Sequence, residues 1–239
     1  MRSLGVAELL RSAFVLYRRN VRLVLTVTVP IVVIVTLLTA IGLGSLDARL
    51  TPAPPARDFW IDALASELVT APLITAILAR WVFLTRQGER VSATDLVASA
   101  LEAFPAVLLV IVAWLAASVV GMVTLIVPGI YVFVSWYFVV QAVVIDGDRG
   151  FAPVTRSAAL VRGHWWQSAT TGVAFLLVSY VPQLVLEYAF TPLARSANSY
   201  AVVVVVLALA RVVTLPFVAI GASLYYLHLR DGAATAARR

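Results

Sequence analysis

The chain has 239 residues, of which 62% are hydrophobic and 13% charged, with a formal net charge of +6. Soluble domains carry about one quarter charged residues, so a water-soluble fold is excluded. The lack of cysteine excludes disulfides, thiolate metal sites and cysteine nucleophiles. The basic excess is carried by 18 arginines and no lysine; it fits basic loops that orient a membrane protein, with no role for nucleic acid.

Uncharged apolar runs recur along the chain, each long enough to cross a hydrocarbon core of about 30 Å as a helix. They do not alternate with period two, which excludes a barrel. The runs predict an all-α integral membrane protein with about six transmembrane helices, at roughly 22–44, 59–85, 105–127, 130–145, 165–187 and 199–228. The first run follows Arg2, Arg11, Arg18, Arg19 and Arg22 and continues to about Gly44. It exceeds the apolar stretch of about 7–15 residues in a secretory signal, so an uncleaved first span is expected.

Residues 45–58, with Pro52, Pro54, Pro55, Asp47 and Asp58, read as an extended exposed loop. Pro128-Gly129 reads as the turn of a tight hairpin between spans three and four. With the N-terminus inside, 14 arginines fall on the cytoplasmic side, three outside (Arg49, Arg57, Arg195) and one, Arg211, within span six. The positive-inside rule then places both termini in the cytoplasm. Arginine in place of lysine, with abundant alanine and valine, suggests a GC-rich bacterial source, hence a multi-pass protein of the bacterial cytoplasmic (inner) membrane.

Three short segments precede the three hairpins: VAELLRSAF from Val6, ATDLVASAL from Ala93 and FAPVTRSAA from Phe151. Stacked, they align Ser12, Ser99 and Ser157. Helical spacing predicts inward faces of Leu10, Phe14 and Tyr17; of Val97, Leu101 and Phe104; and of Val154, Ala158 and Val161, the third offset by one place. Breaks are expected at Asn20, Pro105 and Gly163, and a capping box at Ser92 and Asp95. The predicted architecture is a single membrane domain over 1–239, built from three repeats (5–86, 92–145, 151–230) of interfacial amphipathic helix plus transmembrane hairpin.

Charged groups inside a membrane are costly and tend to be functional. Arg211 falls near the middle of span six and Glu67 in the outer half of span two; Arg211 is expected to pair with Glu67, with Glu187 as the lesser partner. Pro30, Pro72, Pro182 and Pro216 fall inside spans and predict bends. The two histidines, His164 and His228, stand near Asp146, Asp148 and Asp231 in sequence, but their aromatic neighbours Trp165, Trp166, Tyr225 and Tyr226 fit an interfacial belt better than a metal site. No glycine-rich phosphate loop is present and no serine has an evident base, so no enzyme activity, cofactor or metal is expected.

The segment 136–166, WYFVVQAVVIDGDRGFAPVTRSAALVRGHWW, has an aromatic-rich span, then Asp146, Arg156-Ser157, Leu160-Val161, Gly163 and Trp165-Trp166. It resembles a segment of the membrane domain found beside some bacterial glycerophosphodiester phosphodiesterases and of related inner-membrane proteins. The opening, from Glu8 through Tyr17 to Arg18-Arg19-Asn20, is similar to the start of that family. Two departures are Asp146, where glutamate is more usual, and Pro153, where alanine is common. The resemblance implies a multi-span inner-membrane protein; the family's phosphodiesterase activity resides in a separate soluble barrel, for which these spans leave no room.

Two functions follow as expectations. One is a membrane scaffold or anchor, binding anionic lipid, a protein partner or further copies of itself at the cytoplasmic interface. Arg11, Arg18, Arg19, Arg156 and Arg162 would meet headgroups and Trp165 and Trp166 would anchor the interface. The other is a small-solute or lipid transporter using Arg211 and Glu67.

Overall fold

The computed structural model describes residues 5–42, 61, 64–196 and 201–237. The proline-rich stretch 45–58 lies outside them. The described residues are mostly helical, without strands. The elements are α1 (Val6–Arg19), α2 (Val21–Gly42), α3 (Ser66–Arg86, opening with a π turn over Ser66–Thr70), α4 (Ala93–Thr124), α5 (Ile126–Ser135), α6 (Val139–Asp146), α7 (Ala152–Val161), α8 (Trp165–Ser196) and α9 (Ala201–Ala237).

Six helical stretches are long and apolar enough to cross a membrane, with α5 and α6 together forming one. The interior is built around α3 and α9: Ile74, Ile77 and Leu78 of α3 and Ile220, Tyr226 and Leu227 of α9 are buried with Val139 and Val143 of α6. The outer faces stay apolar. Val120, Val123, Ile126 and Val127 at the α4–α5 corner are exposed, Val123 by 82%. Such a continuous exposed apolar surface suits hydrocarbon and is foreign to a soluble monomer.

The breaks at Asn20 and Gly163 are present. Asn20 caps α1 by donating from its side-chain amide to the Leu16 carbonyl at 3.0 Å, and residues 162–164 separate α7 from α8. Ser92 is the N-cap of α4, its Oγ accepting from the Asp95 N–H at 3.1 Å and donating to the Asp95 carboxylate at 2.7 Å.

Three sequence readings are corrected. At Pro105 there is no break: α4 runs through it, since one proline removes a single backbone bond and its flanks on both sides remain helix formers. The hairpin turn is at Leu125, the one extended residue between α4 and α5 (φ −155°, ψ 127°). Pro128 instead occupies the first turn of α5, where a missing N–H leaves nothing unpaired. Span four is two helices, interrupted at Trp136, Tyr137 and Phe138.

The inward faces of the short segments also differ: those of the first two shift by one residue, and in the third Ser157 is buried in place of Ala158. The buried sets are Leu9 and Ala13 in α1, Leu96, Ala100 and Ala103 in α4, and Val154, Ser157 and Val161 in α7, while Phe14 and Leu101 are exposed. Small Ala13 and Ala100 allow close approach to the bundle; in α1, the Ala13 Cβ reaches toward Gly221 of α9. With these faces, Leu9, Leu96 and Val154 occupy the same place in the stacked segments, while the buried Ser157 still falls one place before Ala13 and Ala100.

Candidate functional site

An arginine groove lies where α1 meets α3 and α9. Arg11 and Arg19 project from α1 two turns apart, and Arg86 closes the last turn of α3. The cavity between them is about 560 Å³, with Glu8, Ser12 and Thr85 among its polar walls and Val15, Leu16, Val82 and Leu224 among its apolar ones. Arg86 is shared with Asp231 of α9 at 3.7 Å. Arg11 and Arg19 are exposed, and burial pushes the neighbouring Tyr17 phenol up from its ordinary value. Three guanidiniums face the groove with the Glu8 carboxylate, and one of them, Arg86, already meets Asp231, so the groove keeps a basic excess beside an apolar wall. Arg18 is exposed beside it but does not line it.

Arg156 is placed differently from Arg11 and Arg19. It donates from Nε to Asp148 at 2.5 Å and stands 3.5 Å from Asp146; the hydrogen bond to Asp148 holds its guanidinium above its ordinary pKa. Asp146 also accepts from the Tyr226 hydroxyl and from Arg230 Nη1, the latter at 2.8 Å. Arg230 in turn lies over the Phe83 ring, 5.1 Å from its centre. The cluster ties the α6 end to α7, α9 and α3, and Arg156 has carboxylate partners of its own while its side chain stays 44% exposed.

Arg149 donates to the carbonyls of Val143, Gly147 and Asp148 at 3.1–3.4 Å, covering orphan acceptors at the negative end of α6. Beyond α7, Arg162 and His164 are exposed. Trp165 stacks on Tyr131 with centroids 6.1 Å apart, and Trp166 packs edge-on against Trp165 while remaining 77% exposed, a geometry suited to an interfacial anchor.

Ser157 closes the interruption between α5 and α6. Its hydroxyl donates to the Ser135 carbonyl at 2.8 Å and accepts from the Phe138 N–H at 3.1 Å. Backbone freed within a membrane must find such a partner, and a buried α7 face delivers it. Asp146, Arg156 and Ser157, distant in role when read in the sequence, therefore serve one junction.

The intramembrane polar residues Glu67, Glu187 and Arg211 share a cavity of about 210 Å³ with Tyr180 and Gln183. Glu67 accepts from the Tyr180 hydroxyl at 2.6 Å, and Arg211 donates from Nε to Gln183 at 3.4 Å. Pro72 cannot donate to the Leu68 carbonyl, and the turn carrying Glu67 widens into the π turn ahead of it. Sequence reading missed Tyr180, Gln183 and the Tyr226–Arg230 side of the Asp146 cluster. A signal existed for Gln183: Ser179, Gln183 and Glu187 recur every fourth residue along α8.

Among the described residues no group of three histidine or carboxylate side chains is placed to hold a metal ion. No family model matches the chain, and no curated protein or solved structure matches it either.

Proposed function

We propose that this multi-span membrane protein is a non-enzymatic scaffold that holds anionic phospholipid in the arginine groove at the cytoplasmic face of a bacterial inner membrane. The observation that carries this reading is the convergence of Arg11, Arg19 and Arg86 on one cavity of about 560 Å³ with an apolar wall: phosphate meets guanidinium while acyl carbon meets valine and leucine. The arginine asymmetry supports N-in and C-in orientation, which puts α1 at the anionic leaflet. The common buried place of Leu9, Leu96 and Val154 supports a threefold repeat, and the 136–166 resemblance supports kinship with the phosphodiesterase-associated membrane domain.

Native mass spectrometry in mild detergent tests the reading. Phosphatidylglycerol or cardiolipin is expected to remain bound to the unaltered chain and to be lost from the Arg11→Ala/Arg19→Ala double variant, while Arg156→Ala retains it. Equal retention of phosphatidylcholine, or undiminished anionic lipid in the double variant, would sink the proposal.

A second reading, passage of a small or lipidic solute, draws on the cavity shared by Glu67, Glu187 and Arg211. It predicts solute flux into protein-loaded vesicles that Arg211→Gln abolishes; flux equal to that of empty vesicles would dismiss it.

A further inference from the structure

A separate cavity of about 380 Å³ lies among α3, α4, α5, α6, α8 and α9, a size typical of small-molecule sites. Trp114, Phe133, Tyr137, Phe175 and Tyr180 contribute rings to its wall. Trp114, Phe133 and Tyr137 pack as one group, with centroids 4.8–6.4 Å apart, and the Trp114 indole is fixed by donating to the Phe133 carbonyl at 3.1 Å.

Among the described residues Glu67 is the sole formally charged one on this wall, and none of them lining it is arginine or histidine. Glu67 and Tyr180 are exposed, so the cavity opens at their side, whereas Phe175 is buried within. Gln141, 2% exposed, also lines the cavity, and its Oε1 is a buried acceptor without a hydrogen-bond partner. An unsatisfied buried acceptor is costly in an interior, and a ligand bearing an N–H donor relieves it. Arg211, the nearest intramembrane cation by sequence design, lines the neighbouring cavity, which shares Glu67, Ser179, Tyr180 and Leu215 with this one.

We infer that this cavity binds an organic ammonium group: Glu67 draws the positive charge in, the aromatic faces hold it, and Gln141 accepts its N–H. Ring faces attract cations through their quadrupoles, and the carboxylate at the cavity mouth adds selection for positive charge. The chemistry is shared by a free amine and by the amine headgroup of phosphatidylethanolamine. The site is independent of the arginine groove, which selects the opposite charge.

Calorimetric titration of the full chain in phosphatidylglycerol nanodiscs tests it with phenethylammonium, its trimethylated analogue and neutral 2-phenylethanol. Phenethylammonium is expected to bind about tenfold or more tightly than the alcohol, with the trimethylated analogue, which lacks N–H donors, in between. Glu67→Gln keeps an acceptor for Tyr180 and is expected to lose about tenfold in affinity for phenethylammonium. Gln141→Leu is expected to weaken binding without lowering the unfolding temperature, because it removes an acceptor that has no partner to lose. Adding phosphatidylethanolamine to the nanodiscs separates the sources: competition identifies a lipid amine, and unchanged binding identifies a free one. Equal affinity for alcohol and ammonium, no heat of binding, or unchanged affinity in either variant would overturn the inference; none of these results bears on the arginine groove.

Discussion

Ser157 illustrates how much one side chain can determine. Its hydroxyl holds two backbone groups that no helix can satisfy, the Ser135 carbonyl and the Phe138 N–H, and all three residues are buried. Ser157→Ala leaves both unpaired and is expected to cost about 1–3 kcal/mol, read as a lower unfolding temperature in detergent. Ser99 stands at the equivalent place in the stacked segments, yet its hydroxyl donates only to the Leu96 carbonyl of its own helix at 3.0 Å; Ser99→Ala is expected to change stability by no more than about 0.5 kcal/mol. The identity of these serines was legible in the sequence, but their inequality was not. It depends on α7 folding back beneath the α5–α6 interruption, and nothing in Trp136-Tyr137-Phe138 resembles a helix breaker. The same holds for Arg156, whose pairing with Asp146 and Asp148 is not legible in its basic charge alone.

At the scale of elements, apolar length decided the number of spans, and it is a strong signal because the hydrocarbon thickness fixes it. Finer features rest on packing between helices. Leu10 and Phe14 have the right spacing for an inward face, but Leu9 and Ala13 take it because a small residue brings α1 closer to Gly221. Proline misleads in both directions: Pro105 continues a helix and Pro128 begins one, whereas the turn belongs to Leu125. What makes that turn is a pair of glycines. A Cβ added to Gly129 would stand 2.4 Å from the Met122 backbone nitrogen, and one on Gly121 would stand 2.8 Å from the Gly129 Cα. Gly129→Ala must therefore part α4 from α5, and a loss of about 1–3 kcal/mol is expected, as for other overpacked sites. Gly172 lies inside α8 with nothing within 4 Å of its added Cβ, so Gly172→Ala should stabilise by about 0.5–1 kcal/mol through helix propensity alone. Thermal unfolding of the two variants side by side should show shifts of opposite sign.

At the scale of the whole molecule, both proposed sites acquire meaning only from orientation. In the proposed orientation, which rests on fourteen arginines falling on one side of six spans, the arginine groove meets the cytoplasmic leaflet, where anionic headgroups make a negative surface. Glu67 belongs to the first turn of α3, at the end remote from Arg86, so the same orientation opens the ammonium cavity toward the outer side. On the two proposals together, charge preference differs across the protein: cation at Glu67, anion at Arg11, Arg19 and Arg86. Because the chain has no cysteine, single introduced thiols report sidedness without background. In intact cells a membrane-impermeant maleimide is expected to label Ala53→Cys and to spare Ser12→Cys and Ala234→Cys, with all three labelled after the membrane is opened. Labelling of Ser12→Cys from outside would turn the molecule over, move the groove to the outer face and remove the electrostatic reason for anionic lipid to gather there. Exclusion of the label from Ser12 and Ala234 alone would be ambiguous between sidedness and burial; the opened-membrane reaction resolves it, because both side chains are exposed in the folded protein.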